Sequence, residues 1–283
     1  MPVTLLMGAM VSIQCGAALA KGLFPLVGAV GTATMRIILA AAILALILRP
    51  WEKAASIRAN IRSVILYGLC LGLMNISFYA AIDRIPLGVA VALEFTGPLG
   101  VAILSSRRPV DLIWVALATL GIVALARAPS SGESLDLYGV VLALLAGLFW
   151  GLYIISGERA SREHGQQAVA IGMIVAALVA LPIGLSQSGT AIFNMAALPL
   201  ALAVALLSSA LPYSLELVAL RQLPRATFGI LMSLEPLIAT LAGYLLLREH
   251  LAPLQWGAIA AIATASAGAV WSAAQPPKLS EPL

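Results

Sequence analysis

The chain is short of charge, of cysteine and of histidine, and each shortage excludes something. Asp, Glu, Lys and Arg make up 10% of its 283 residues, against roughly 25% in a typical soluble domain. With 61% hydrophobic residues and a mean hydropathy of +1.03, it lacks the polar surface that a soluble globule of this size needs. Intrinsic disorder requires few apolar residues and many charges, so it is excluded too. Cys15 and Cys70 both fall inside apolar runs and fit no disulfide or metal pattern; they read as packing residues. His164 and His250 read as loop residues without ligand spacing, so no metal is expected. No phosphate-binding P-loop is present, which removes ATP as the direct driver, and no cofactor is expected. Residues 1–14 have neither a basic n-region nor a clear cleavage site and read as a retained first helix.

What the chain has instead is long apolar runs. They do not alternate in ten-residue segments, which argues for spanning helices over a membrane β-barrel. The fold class expected is an all-α polytopic membrane protein. Ten spans follow, at about 3–20, 30–48, 63–82, 87–105, 112–128, 137–156, 167–185, 198–219, 225–246 and 254–272. The connections are short. The longest, 49–62, reads as an amphipathic surface segment, and the Pro-rich tail 273–283 as disordered. A net charge of +4 and a pI near 9.3 would suggest nucleic acid for a soluble protein. Here the basic residues sit in short loops and set topology, so no nucleic-acid partner is expected. With the N-terminus placed in the cytoplasm, inner loops hold 11 of the 16 Lys and Arg and outer loops hold 4, with Arg36 inside a span. Both termini are therefore expected inside.

The chain also repeats itself. Residues 74–98 (MNISFYAAIDRIPLGVAVALEFTGP) and 212–236 (PYSLELVALRQLPRATFGILMSLEP) each carry a Leu or Ile before one Pro and a second Pro 12 residues on. Pro86 and Pro98 thus match Pro224 and Pro236 at an offset of 138. The same offset places Lys21 on Arg159. Two five-span halves result, 1–136 and 137–272. Because five is odd, the second half enters the membrane inverted. Inverted repeats commonly underlie alternating access, with a site near the midplane between the halves.

Ionisable groups inside a span cost several kcal/mol unless paired or wetted, so each one is informative. Glu94 lies about seven residues into the fourth span and Glu235 about ten into the ninth, each beside a helix-breaking proline, Pro98 or Pro236. Kinked or broken helices with an acid at that depth suit a polar cavity; a structural kink with a neutral, hydrogen-bonded Glu is the alternative. Glu216 follows Tyr213 by three residues on one face of the eighth span, nearer the cytoplasm, where water exposure is the competing reading. Asn75 and Tyr79 lie one turn apart, as do Trp150 and Tyr153, and Gln14 is at mid-depth in the first span. Together these groups suit an orienting site for a small zwitterion. Taken singly, each equally suits helix–helix hydrogen bonding or interfacial anchoring. Arg36 has three open readings: receiving a substrate carboxylate, pairing with a buried Glu, or snorkelling outward. The GxxxG patterns Gly68–Gly72 and Gly147–Gly151 read as close helix packing, with hinge freedom as the alternative for Gly72 and Gly88.

These residues carry a family resemblance. The stretches SIQCGAALAKGLFPLVGA (12–29), IPLGVAVALEFTGPLGVAILSSRRPVD (85–111), WGLYIISGERA (150–160), LPYSLELVALRQLP (211–224) and FGILMSLEPLIA (228–239) resemble the drug/metabolite transporter superfamily, ten-span EamA type. Within it, they are most similar to bacterial threonine/homoserine exporters and related amino-acid exporters. The resemblance implies export of small amino acids across a bacterial inner membrane through a cavity between the inverted halves. It does not fix the substrate, since aromatic amino-acid exporters share the architecture. In the four-span multidrug relatives, the first span carries a Glu that exchanges protons for cations. Here that place holds Gln14, which cannot titrate, so any proton coupling falls to Glu94, Glu216 or Glu235. The expectation is a monomeric secondary transporter of threonine- or homoserine-like amino acids, working by alternating access. An exporter of aromatic amino acids or of broader amphiphilic metabolites is the alternative. An intramembrane enzyme would need a nucleophile with a base or a metal cluster in the spans, and no span contains His.

Overall fold

The computed structural model describes residues 2–53, 61–105, 111–127, 135–212 and 225–274, with 215, 219, 222 and 223 between the last two. Among the described residues the regular structure is entirely helical. The helices are α1 (Pro2–Lys21), α2 (Ala29–Leu48), α3 (Ile61–Ile82), α4 (Leu87–Glu94), α5 (Thr96–Ser105), α6 (Asp111–Arg127), α7 (Leu137–His164), α8 (Gln167–Ser188), α9 (Leu198–Ala205), α10 (Arg225–Met232), α11 (Glu235–Leu247) and α12 (Pro253–Ala274). Counting α4–α5 and α10–α11 as one span each, eight of the ten expected spans are at least 18 residues long and apolar enough to cross a bilayer. The fifth (α6) and the eighth (α9) are shorter apolar helices. Large apolar side chains face outward, among them Leu104 at 81% and Leu46 at 71% exposure. An apolar exterior on an apolar interior is the mark of a helix bundle solvated by lipid, and the protein is an all-α polytopic membrane protein. Pro50–Lys53 forms one 3₁₀ turn; the rest of the 54–60 connection and the tail 275–283 lie outside the described residues.

Local chemistry ends the helices. Gly165 (φ 60°) and Gly189 (φ 55°) close α7 and α8 in the left-handed region that glycine tolerates. Helix α7 runs two turns beyond the expected end near residue 156. Its polar extension is supported by pairs four residues apart, Arg159–Glu163 at 3.1 Å and Glu158–Arg162 at 3.5 Å. His164, read from sequence as a loop residue, is the last residue of α7 and is buried. Asp136 caps the other end of α7, accepting from the Tyr138 and Gly139 N–H groups. The hydrogen bond from Arg84 holds its carboxyl below the usual range. The stability this lends is present above the unfolded Asp pKa of about 3.9 and fades as pH falls through the lower folded value. On the same face as this cap, Glu249 receives Lys21 Nζ at 2.8 Å and the Leu87 N–H at 2.8 Å, tying the ends of α1 and α11 to the start of α4.

The two broken spans follow the 138-residue offset. Helix α4 (Leu87–Glu94) has its counterpart in α10 (Arg225–Met232), and each is followed by a break, at Phe95 and at Ser233–Leu234. The helices are broken rather than merely kinked. Pro98 and Pro236 stand in the first turn of the helix after the break, where a missing N–H costs nothing. Packing pairs also come in related sets. The first span packs on the ninth and the sixth on the fourth; the third packs on the sixth and the eighth on the first. The second and seventh, fourth and ninth, and fifth and tenth pack on each other.

Small residues make these crossings close. Gly68 lies against Gly172 and Val175, Gly72 against Ala176, and Gly88 against Thr240, so these glycines serve packing. The tightest crossing joins α5 to α7: a Cβ on Gly97 would stand 1.8 Å from the Gly147 carbonyl oxygen. Gly97→Ala is therefore expected to destabilise the protein by about 1–3 kcal/mol through overpacking, read as a lower Tm in detergent. Gly100→Ala, where a Cβ meets nothing within 4 Å, is expected to change stability by no more than about 0.5 kcal/mol.

Candidate functional site

Both broken spans end at one buried cavity of about 200 Å³. Its polar lining comes from seven spans: Gln14 on α1, Arg36 on α2, Asn75 and Tyr79 on α3, Glu94 on α4, Tyr153 on α7, Ser208 just after α9 and Glu235 on α11. Trp150, Phe78, Met74, Val91 and Met232 supply apolar wall. Of the residues singled out in sequence, Gln14, Arg36, Asn75, Tyr79, Glu94, Trp150, Tyr153 and Glu235 thus meet around one space. Tyr213 and Glu216 lie outside the described residues. Pro98 and Pro236 flank the cavity's acids without lining it.

The backbone breaks place the two acids differently. Glu94 is the last residue of α4, buried at 7% exposure, and Glu235 is the first of α11, at 5%. Glu235 thereby occupies the electropositive end of its helix, whereas Glu94 occupies an electronegative end. Gln14 Nε2 donates to Glu235 Oε1 at 3.0 Å, which joins the N-terminal half of the chain to the C-terminal half.

Arg36 answers one of the questions left by the sequence. It is buried at 7% exposure, so it does not snorkel. Among the described residues no carboxylate lies within ion-pair distance of it. The guanidinium instead donates to Asn75 Oδ1, and its carbon lies 5.0 Å from the centre of the Tyr79 ring. Asn75 is oriented for this by donating its amide to the Leu71 carbonyl at 2.8 Å. On the opposite wall, Trp150 meets Phe95 edge-on at 5.2 Å and Tyr153 stacks on Tyr67 at 4.9 Å. A buried cation without an anionic partner is costly, and two carboxylates share its cavity. Chemically, the site offers one positive and two acidic groups at separate positions in an apolar shell.

Sequence reasoning missed Ser208. It lines the cavity from a π-helical turn, Leu206–Ala210, that follows α9. The pair Ser208-Ser209 inside an apolar run was the available signal.

An all-helical membrane protein with broken helices around a buried, mixed-charge cavity has the architecture of a transporter. The profile of the EamA-like transporter family matches residues 137–271. The threonine/homoserine exporter RhtA of Escherichia coli (strain K12) is 49% identical over 281 residues, covering 99% of this chain and 95% of that protein. The threonine/homoserine exporter RhtA of Salmonella typhimurium (strain LT2) is 48% identical over the same length and coverage. One solved crystal structure shares the fold, with a TM-score of 0.59 at 16% identity over 96% of this chain and 97% of that one. The chain belongs to the EamA-like transporter family.

Gln14→Leu removes a donor from a buried carboxylate and is expected to cost about 1–3 kcal/mol of stability. A double-mutant cycle with Glu235→Gln, followed by thermal unfolding in detergent, should give a coupling of at least about 0.5 kcal/mol.

Proposed function

We propose that this protein is a secondary transporter exporting small neutral amino acids of the threonine/homoserine kind across a bacterial inner membrane. The observation that carries the reading is the buried Arg36, which has no carboxylate within ion-pair distance among the described residues yet shares its cavity with Glu94 and Glu235. An amino-acid zwitterion supplies the complementary charges. Its carboxylate meets Arg36, whose planar guanidinium holds a carboxylate bidentately, and its ammonium meets Glu94 and Glu235. Asn75 and Tyr79 orient the guanidinium from behind. Gln14 orients Glu235, and Trp150 and Tyr153 close the wall. Tyr213 and Glu216 are further candidates from the sequence. The cavity, at about 200 Å³, is smaller than the roughly 300–1,000 Å³ typical of drug-sized sites, which favours small amino acids over aromatic or drug-like cargo. The names of the curated relatives point the same way.

Movement follows from the repeat. The related packing pairs and the matched breaks support two inverted five-span halves, 1–136 and 137–272, that rock about the cavity in a monomer, with Pro98 and Pro236 at the flexing points. The bias of Lys and Arg supports cytoplasmic termini. Single cysteines introduced in the 83–86 and 249–252 connections should react with a membrane-impermeant maleimide added outside intact cells. A cysteine added at either terminus should react only after lysis.

Purified protein in liposomes should support counterflow of threonine and homoserine. Arg36→Gln should lower counterflow at least about tenfold, the loss expected for a charged hydrogen-bonding partner, and Glu94→Gln should lower it or change its response to a pH gradient. Failure of wild-type protein to move any neutral amino acid, or wild-type rates in Arg36→Gln, would overturn the reading.

A further inference from the structure

Four buried polar atoms around the cavity take no hydrogen bond from the other described residues: Gln14 Oε1, Arg36 Nε, Tyr79 Oη and Ser208 Oγ, the last two within reach of each other. Ser208 is unlike other helical hydroxyls of this chain. Thr34, Ser156, Ser233 and Thr240 each donate to the carbonyl four residues back, the usual way an apolar helix satisfies a hydroxyl. Ser208 makes no such bond. It lies in a π-turn, where the Leu211 N–H reaches the Leu206 carbonyl five residues back. A π-turn inserts one residue into the helix, and such insertions recur at functional sites.

Helix α1 holds this turn in place. Ser12 Oγ donates to the Leu207 carbonyl at 2.8 Å. Gly16 leaves the space beside it, since a Cβ there would stand 2.2 Å from Ser208 Oγ. Tyr79 is equally fixed. Its ring lies between Arg36, at 5.0 Å, and Phe24 and Phe78, with centroids 6.2 and 6.1 Å away. Two immobilised hydroxyls, within reach of each other and otherwise without a protein partner among the described residues, therefore stand at the wall of one cavity.

We infer that Ser208 and Tyr79 form a hydroxyl-reading subsite, which selects amino acids bearing a side-chain alcohol over their methyl isosteres. This rests on the amino-acid reading above and deepens it. Arg36, Glu94 and Glu235 address the carboxylate and ammonium that every amino acid carries, so they do not separate threonine from valine. A hydroxyl is both donor and acceptor and satisfies both side chains at once. A methyl group in its place leaves the pair with buried donor and acceptor capacity unmet, which is how a site rejects an isostere lacking the polar group. Met74, Val91 and Met232 supply apolar wall in the same cavity.

Counterflow in proteoliposomes compares threonine with valine and homoserine with norvaline, for wild type, Ser208→Ala and Tyr79→Phe. Wild type should favour the alcohol in each pair, and each variant should lower that ratio about tenfold. Tyr79→Phe keeps the ring against Arg36, so it reads out the hydroxyl even if Ser208→Ala fails to fold. Equal wild-type rates for alcohol and isostere, or variants that slow both equally, would overturn this inference while leaving amino-acid export standing. A wild-type protein that moves neither member of either pair overturns both readings.

Discussion

Backbone groups inside a lipid-solvated bundle must be satisfied by the protein itself, and the site depends on how this chain meets that demand at two breaks. Interrupting a helix in mid-span frees carbonyls that no water can reach. At the first break, Thr96 Oγ1 takes the Leu93 carbonyl at 2.6 Å; at the second, Ser233 Oγ takes the Gly229 carbonyl at 3.0 Å and is joined to Ser266 at 3.1 Å. The Gly97–Gly147 crossing lets α7 close over the first break, with Gly147 against the Glu94 carbonyl. Once the breaks are satisfied, each delivers an acid to the same cavity: Glu94 from the end of one helix and Glu235 from the start of another.

The same economy governs the charges. Arg36 is solvated by an amide and an aromatic face, with no carboxylate in ion-pair distance among the described residues. Glu235 is held by Gln14 and by the positive end of α11. The cavity groups are thus anchored by neutral or dipolar neighbours, which leaves net charge available to a ligand. A direct Arg36–Glu94 pair would neutralise both and leave little for a zwitterion to gain by entering. The placement of one cation and two acids on three separate helices, α2, α4 and α11, around one cavity is therefore the feature that the proposed function uses.

Much of this was legible in the chain. Long apolar runs located most of the spans to within a few residues, because bilayer thickness sets helix length. Polar residues in those runs pointed to the cavity, because burying them without purpose is costly. The paired prolines marked the breaks. Two things were not legible. The two extra turns of α7 rest on Arg159–Glu163 and Glu158–Arg162, pairs that hydropathy counts only as an end to the span. The π-turn of Leu206–Ala210 was hidden because an inserted residue changes neither composition nor hydropathy, only the direction in which Ser208 points.

The sequence by itself determined that the protein lives in a membrane, that it is built of spanning helices and which buried groups are exceptional. Those properties follow from transfer free energies, which each residue carries wherever it stands. Only the tertiary structure decided which exceptions meet. It set Gln14 on Glu235 across 221 positions, placed Arg36 against Asn75 and Tyr79, and turned Ser208 and Tyr79 onto the same wall. Those outcomes depend on how close two helices can approach and where a helix breaks. They are set by glycine contacts and carbonyl satisfaction between segments far apart in the chain.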